Sequence, residues 1–453
     1  MSRSEVGQDA AVPRPGPVPP VRVGRVVRAV LGNGVDATVV ARPSVPRVEV
    51  RLSLPAGSAI GASSAASQLL RAGLLLGTRN LNQEEVSESI QRLGGALQVH
   101  QDLDRMQLSA SALSEAEEEL YQLVFAVVSE PDFPAQELET ERVKLTEGLR
   151  IARATPQFVA AEHLEHLIYG DHPYGRPEPS DSEIRRTTRG RLRELHQSSF
   201  VPGDAQITVV GDVQPRRTLQ RLERSFGAWK GARRRPRVPP VRTQVVPELT
   251  FIDRPGLVQT VIVSACSSPP IGHPDQIPLA VAAAILGGSF SSRLMANLRE
   301  DKGYSYSPHT FADAHLRDSL VSSALEVRTE VTAASYVEFR YELGRLAAVE
   351  VTPEELEESR NFLAGVRVIR LQTQAGLASA LAQLRAQGLD HRYLESYSDR
   401  LTEVTPTELR RVAARYLGPA SQTTVMVGEA AATVPQLAQL GPVRLHSRSA
   451  RER

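Results

Sequence analysis

The chain has 453 residues, of which 41% are hydrophobic, so it is long enough to form two or more domains with buried cores. Its 53 lysines and arginines nearly balance 52 aspartates and glutamates, which gives no electrostatic support for nucleic acid or an anionic membrane as a partner. The single cysteine, Cys266, excludes an intrachain disulfide and a cysteine metal cluster.

Residues 1–22 are rich in proline and contain no apolar segment of signal-peptide length, which predicts a flexible leader. No run of about eighteen apolar residues occurs in the sequence, so we expect no membrane span. We therefore expect a cytoplasmic location.

The elements that follow begin with a predicted hairpin, because Asn33-Gly34 lies between two apolar runs. From Val48 to Leu54 apolar residues alternate with polar ones, which predicts a half-buried strand. Helical patterns follow at roughly 64–76, 83–93, 114–128 and 135–153, and a strand-like segment at 100–113 separates the second from the third. This order predicts an α+β fold, with helices packed on one face of an antiparallel sheet.

An internal repeat links the two ends of the chain. Residues 188–212 align without a gap with residues 405–429, at a fixed offset of 217 residues. Each copy predicts a capped helix, a Gly/Pro turn and an apolar strand that ends in Gly-Asp or Gly-Glu. Two homologous domains are the simplest explanation.

The repeat and the composition together predict five segments. They are a leader at 1–22, an N-terminal domain at 23–229, a linker at 230–247, a C-terminal domain at 248–432 and a tail at 433–453. The linker is rich in arginine and proline, and we interpret it as an exposed connector. A nucleic-acid patch is the weaker reading, because no aromatic residues lie between its arginines.

The segment from Ser67 to Thr78, SQLLRAGLLLGT, is the most informative part of the sequence. It resembles the metal-binding helix of the insulinase and pitrilysin zinc metallopeptidases, which carry the inverted motif HxxEH. The resemblance covers nearly the whole chain and is to the branch that includes mitochondrial processing peptidase. It places Gln68, Arg71 and Ala72 where the family has His, Glu and His.

A second segment of the same family resemblance is ELETERVKLTEGL, residues 137–149, in which Glu139 is matched to the third metal ligand. An arginine does not lose its proton and an alanine has no lone pair, so neither can bind Zn²⁺. One remaining carboxylate is too few for a zinc site. We therefore expect this chain to hold no metal.

The segment LGGSFSSRLMANLREDKGYSYS, residues 286–307, is similar to the second signature of the family. The resemblance implies that Arg299 and Tyr306 contact the substrate and stabilise the developing oxyanion. In the alternative reading, Arg299 pairs with Glu300 or Asp301 at the surface and Tyr306 packs in a strand.

The resemblance also implies an architecture, in which two homologous α+β domains form half of a clamshell. It implies a catalytically incomplete subunit of a heterodimeric zinc metallopeptidase, which binds peptide and supplies Arg299 and Tyr306 to the zinc site of a homologous HxxEH partner. No cofactor is expected in this chain, and proteolysis is expected only with the partner. Three alternatives stay open: a structural or assembly protein like the core subunits of respiratory complexes, a peptide-binding module, and a self-sufficient peptidase with an unrecognised metal site.

One further group of residues, His163, Glu165 and His166, has a superficial likeness to a zinc motif. The two histidines are three residues apart rather than four, and no third ligand follows at a clear spacing. We expect an adventitious or structural role for this group.

Overall fold

Two six-stranded sheets, one from each half of the chain, form the frame of the protein. The structure is a computed structural model that describes residues 18–60, 63–176, 178–232 and 238–446. The strands are β1 Val26–Val30, β2 Asp36–Ala41, β3 Arg47–Leu54, β4 Ala96–Gln101, β5 Met106–Leu113, β6 Gln206–Gly211, β7 Leu249–Asp253, β8 Gln259–Ser268, β9 His309–Ala314, β10 Ser319–Arg328, β11 Thr423–Gly428 and β12 Val443–His446.

The helices surround these sheets. They are α1 Ser64–Gly73, α2 Gln83–Arg92, α3 Glu117–Ser129, α4 Ala135–Ala154, α5 Pro156–Tyr169, α6 Asp181–Arg186, α7 Arg189–Ser199, α8 Pro215–Phe226, α9 Gln276–Ala283, α10 Thr332–Ala348, α11 Pro353–Leu371, α12 Gln374–Ala386, α13 Arg392–Glu395, α14 Tyr397–Glu403, α15 Pro406–Val412 and α16 Ala430–Leu437. This arrangement of helices and two sheets confirms the α+β class and its two-domain form.

The strand orders of the two sheets correspond. The first sheet has the order β1-β2-β6-β3-β5-β4 and the second has β12-β7-β11-β8-β10-β9. Most neighbours are antiparallel, but β2 pairs parallel to β6, and β7 pairs parallel to both β11 and β12. Strands β6 and β11 each come late in their half of the chain and lie between two earlier strands, parallel to one neighbour and antiparallel to the other.

The repeated segments adopt the same elements in the same order. Helix α7 begins at Arg189 and α15 begins at Pro406, each behind a threonine whose side chain caps the helix. The strands β6 and β11 have the same length and keep the offset of 217 residues. Helices α5 and α12 occupy equivalent places in the two halves, because both follow a long helix directly.

The two halves exchange one helix each. On α5, Ala160, Leu164 and Ile168 recur every fourth residue and form one buried face. This face packs on Val263 and Val425 of the second sheet. In the same way, α12 packs on strands of the first sheet, so each sheet is closed on one side by a helix from the other half.

Strand β3 is consequently buried on both faces, whereas its alternating sequence predicts a half-buried strand. Val50 and Leu52 face the core of the first half, while Glu49 and Arg51 lie on the opposite face beneath α12. Arg51 is only 6% exposed, and its guanidinium donates to Glu49 at 3.1 Å and to Ser379 of α12 at 3.0 Å. Partners from the other half therefore make a buried polar face possible.

Parts of the predicted leader and of the predicted linker pack against the domains. The leader prediction falls mainly on residues outside the described part, but Val21, with its neighbour Val23, packs against the α12 side of the molecule. In the linker, Val238 is buried, and the prediction of an exposed connector is therefore wrong for this residue. Four of the linker's five arginines lie outside the described residues.

The predicted tail at 433–453 begins inside helix α16 and contains strand β12, which pairs with β7. These elements complete the second sheet, so the structure extends the C-terminal domain to at least residue 446. The short sequence of β12 carries too little pattern to predict a strand. Within the described residues, none of the helices combines the length and apolar character needed to cross a membrane.

Candidate functional site

The degenerate motif lies on α1, which begins after Ser63, whose side chain caps the helix. Gln68, Arg71 and Ala72 share one face of this helix, since residues three and four apart are neighbours on a helix. This face borders a cavity of about 230 Å³ between α1 and α4. On the α4 side the cavity is lined by Glu141, Lys144, Leu145, Gly148 and Leu149.

The structure does not bring Glu139 into this cavity. Its side chain is 65% exposed and forms an ion pair of 3.1 Å with Arg142. Gly148, which lines the cavity, lies nine residues later on α4, and nine residues are about two and a half helical turns. Glu139 is therefore on the opposite face of α4, and its assignment as a remnant ligand position is wrong.

The residues around this cavity do not fit a zinc ion. Gln68 is held by other groups, since its side-chain amide donates to Ser64 at 3.1 Å and to Glu178. Arg71 and Lys144 bring cations, and Ala72 and Gly148 bring no donor atom. Within the described residues there is no cluster of three or more His, Cys, Asp or Glu that could hold a metal.

The second predicted pair, Arg299 and Tyr306, does come together. The guanidinium of Arg299 lies 4.8 Å from the centre of the Tyr306 ring and 5.0 Å from that of Phe290. Tyr306 is 80% exposed and Phe290 is 71% exposed, so the cation lies between two rings at the surface. The stacking holds the guanidinium while leaving the phenol hydroxyl accessible.

A rigid support positions Arg299. It lies in a π-helical turn at Met295–Asp301, and such turns are frequent at functional sites. Asn297 in this turn donates to the buried carboxylate of Glu342 at 2.9 Å. Just before the turn, Arg293 forms a two-bond pair with Glu355 of α11, at 2.7 and 2.8 Å. These bonds fix the segment that carries Arg299.

Gly287 allows the turn that precedes the Phe290 loop to lie close to strand β9. A Cβ atom added to Gly287 would lie 2.7 Å from the backbone nitrogen of Thr310, which is closer than a real side chain allows. Gly287 belongs to a π-helical turn at Ala284–Gly288, after which the chain becomes extended. Gly287 and Gly288 thus end a helix and bring the Phe290 loop against the sheet.

Arg299 and Tyr306 line a cavity of about 450 Å³. The sequence reasoning missed the other side chains at this cavity, which come from the loop after the π-helical turn and from strands β8, β9 and β10. They include Gln259, Ser305, His309, Glu326 and Arg328. Their position next to the predicted signature, or on strands that pair with it, is the only signal that the sequence offers.

The alternative reading of the pair is partly correct and partly wrong. Arg299 does contact Glu300, with Nε and a carboxylate oxygen 3.3 Å apart, and Glu300 is exposed. An exposed pair of this kind contributes little to stability. Tyr306 does not pack in a strand, because it is exposed and precedes β9. The cavity of the Arg299 pair and the cavity at α1 share no lining residue.

A third cavity, of about 240 Å³, lies beside α5 and is lined by the carboxylates Glu162, Glu165 and Glu178. Burial, with further contributions from Asp313 and these neighbouring carboxylates, raises the pKa of Glu165 to about 7. The rings of His163 and His446 are in tilted contact with 4.8 Å between their centres, and burial lowers the pKa of His163 to about 4. His166 lies with Nδ1 3.0 Å from the backbone oxygen of Gly175, so both histidines of this segment contact protein groups.

Comparison with known proteins defines the class of the chain. Residues 38–179 match the model of the insulinase family, peptidase family M16, and residues 186–363 match the model of the peptidase M16 inactive domain. Together these matches account for more than half of the chain. The chain therefore belongs to the insulinase family.

Individual proteins are similar to this chain over most of its length. The chain is 25% identical to an uncharacterized zinc protease of Mycobacterium tuberculosis over 412 residues, which is 90% of this chain and 94% of that protein. Two solved structures share the fold. A peptidase M16 inactive domain from Pseudomonas fluorescens has a TM-score of 0.85 at 21% identity, covering 90% of this chain and 99% of that one. A protease from Helicobacter pylori has a TM-score of 0.84 at 19% identity, covering 90% of this chain and 100% of that one.

Proposed function

We propose that this chain is the non-metal subunit of a two-chain zinc metallopeptidase, in which it binds peptide and supplies Arg299 and Tyr306 to the zinc site of a homologous partner. The observation that carries this proposal is the split between the two motifs. The α1 helix has lost the donors that zinc needs, whereas Arg299 and Tyr306 stand together at an open cavity. A cytoplasmic location is part of the same proposal.

The chemistry of the pair suits the carbonyl group of a peptide. Hydrolysis places negative charge on the carbonyl oxygen, and a phenol O–H and a guanidinium are both donors for such an oxygen. Arg299 uses only its Nε toward Glu300, and its two terminal amino groups make no hydrogen bond to another described residue. These groups and the Tyr306 hydroxyl are available to a substrate.

The neighbouring sheet edge offers a way to hold an extended peptide. Strand β9 is the last strand of the second sheet, and no further strand pairs with its outer side in the described part of the chain. It begins at His309, which lines the cavity of Arg299 and Tyr306. A peptide that adds to this edge would gain backbone hydrogen bonds while its carbonyl groups meet the pair.

The proposal is tested with the chain co-expressed with a homologue that carries an intact HxxEH motif. Replacing Tyr306 with Phe removes one donor and should lower kcat for peptide cleavage by about a hundredfold. Tyr341→Phe is the matched control, because Tyr341 is an exposed tyrosine of α10 with no hydrogen bond to its hydroxyl among the described residues.

Unchanged cleavage by the Tyr306→Phe mixture would contradict the role of the pair and favour a structural or assembly protein. Chelator-sensitive cleavage by the isolated chain, with stoichiometric zinc, would contradict the need for a partner.

A further inference from the structure

The cavity between α1 and α4 is a preserved space rather than a collapsed one. Ala72 on the α1 side and Gly148 on the α4 side both line it, and a methyl group and a hydrogen atom are too small to fill it. A Cβ atom placed on Gly148 would meet nothing within 4 Å. The volume of about 230 Å³ is enough for an acidic side chain, whose carboxylate would reach Arg71.

The charges around this cavity leave one cation without a partner. Glu141 and Lys144 offset each other in an ion pair of 2.6 Å. The nearby carboxylate of Glu178 also has a partner, because it accepts a hydrogen bond from the side-chain amide of Gln68. Arg71 lines the cavity and makes no hydrogen bond or ion pair to any residue in the described ranges.

We propose that this cavity binds one carboxylate group of a peptide through Arg71, so that a charge-recognition pocket stands where a metal centre would be. The planar guanidinium matches a carboxylate with two parallel hydrogen bonds. A single negative charge matches the single free cation, whereas a phosphate dianion would bring a second negative charge that no free cation at the cavity offsets. The inference rests on the proposed function only in taking the ligand to be a peptide.

The carboxylate could come from an acidic side chain or from a peptide C-terminus, and three peptides separate these sources. They are acetyl-AAEAA-amide, its neutral twin acetyl-AAQAA-amide, and acetyl-AAQAA with a free C-terminal carboxylate. Titration calorimetry on the isolated full chain should give a Kd for at least one acid about tenfold lower than that for the neutral twin. The preferred acid identifies the source.

Three variants test where the carboxylate binds. Arg71→Gln should abolish the preference for the acid, because it removes the guanidinium and keeps a polar side chain of similar reach. Gly148→Leu should also abolish it by filling the space. Arg79→Gln is the control and should keep the preference, since Arg79 is an exposed arginine outside the cavity with Glu130 as its ion partner. Thermal unfolding of each variant checks that the fold is retained.

Equal affinity for the three peptides, no measurable binding of either acid, or an unchanged preference in Arg71→Gln would overturn the proposal. These measurements use the single chain without a partner. If the cavity binds no carboxylate, the cleavage test at Tyr306 is unaffected. A failure of the carboxylate proposal can therefore be distinguished from a failure of the proposed function.

Discussion

At the scale of single residues, the degenerate motif changes the chemistry of the site without changing the helix that carries it. The α1 helix keeps a capping serine and a buried apolar face that includes Leu69 and Leu70. Its positions toward α4 carry an amide, a cation and a methyl group. The side chains on this face are therefore not ones that bind a metal, while the helix that places them is capped and packed in the ordinary way.

Glu165 provides a prediction at this scale, because its raised pKa couples stability to pH. The folded protein holds the Glu165 proton up to about pH 7, whereas an unfolded chain releases it near the ordinary glutamate pKa of 4.5. Protonated Glu165 therefore contributes to the free energy of unfolding fully below the pKa of the unfolded chain, and this contribution is lost as pH rises through the pKa of the folded protein. Glu165→Gln should therefore increase the free energy of unfolding at pH 8 by about 2 kcal/mol and change it little at pH 4.

Urea unfolding at several pH values measures this difference. Groups that titrate alike in the wild-type protein and in the variant cancel in the difference between their free energies of unfolding. Glu88→Gln, on the exposed surface of α2, should show no such pH-dependent difference. A Glu165→Gln variant that is destabilised equally at pH 4 and pH 8 would show that burial and the neighbouring carboxylates do not raise the pKa of Glu165 in the folded protein.

At the scale of elements, the exchange of α5 and α12 between the halves decides which faces of the sheets are buried. Leu164 of α5 is 2% exposed and belongs to the cluster that contains Val263 of β8 and Val427 of β11. A helix of the first half therefore stabilises strands of the second half. Such a contact joins residues far apart in the sequence, and local patterns do not predict it.

The corresponding prediction concerns Leu164→Ala. A buried Leu→Ala change typically costs about 2–5 kcal/mol, and here the loss should fall on the other half of the chain. Hydrogen exchange should become faster in β8 and β11, and to a smaller extent in β3 of the first sheet. Val143→Ala, on the exposed face of α4, is the control. Faster exchange confined to the first sheet would contradict the exchange of helices.

At the scale of the whole molecule, each half is incomplete without the other. The segments 1–229 and 230–453, expressed separately, would each leave one face of a sheet uncovered, because α5 and α12 would lie on the wrong segments. We expect neither segment alone to unfold cooperatively, and we expect the mixture to regain a cooperative transition.

Circular dichroism during thermal unfolding measures this, with the intact chain as reference. A chain cleaved in the linker after folding is the control and should keep its halves associated. Two segments that each unfold cooperatively by themselves would contradict the prediction and show that the exchanged helices are dispensable.

The sequence by itself determined the class of the fold, the repeat, the family and the loss of metal donors. These properties depend on residue types at fixed spacing, such as Gln68, Arg71 and Ala72 on one helix or Arg299 and Tyr306 seven residues apart. The roles proposed for these residues stay predictions, which the experiments above test.

Only the tertiary structure decided which face of α4 meets α1, and with it that Gly148 rather than Glu139 borders the cavity. It also decided that Glu49 and Arg51 of β3 are buried beneath α12. The physical reason is the same in both cases. The partner that covers a face comes from a distant part of the chain, and local periodicity carries no information about a distant partner.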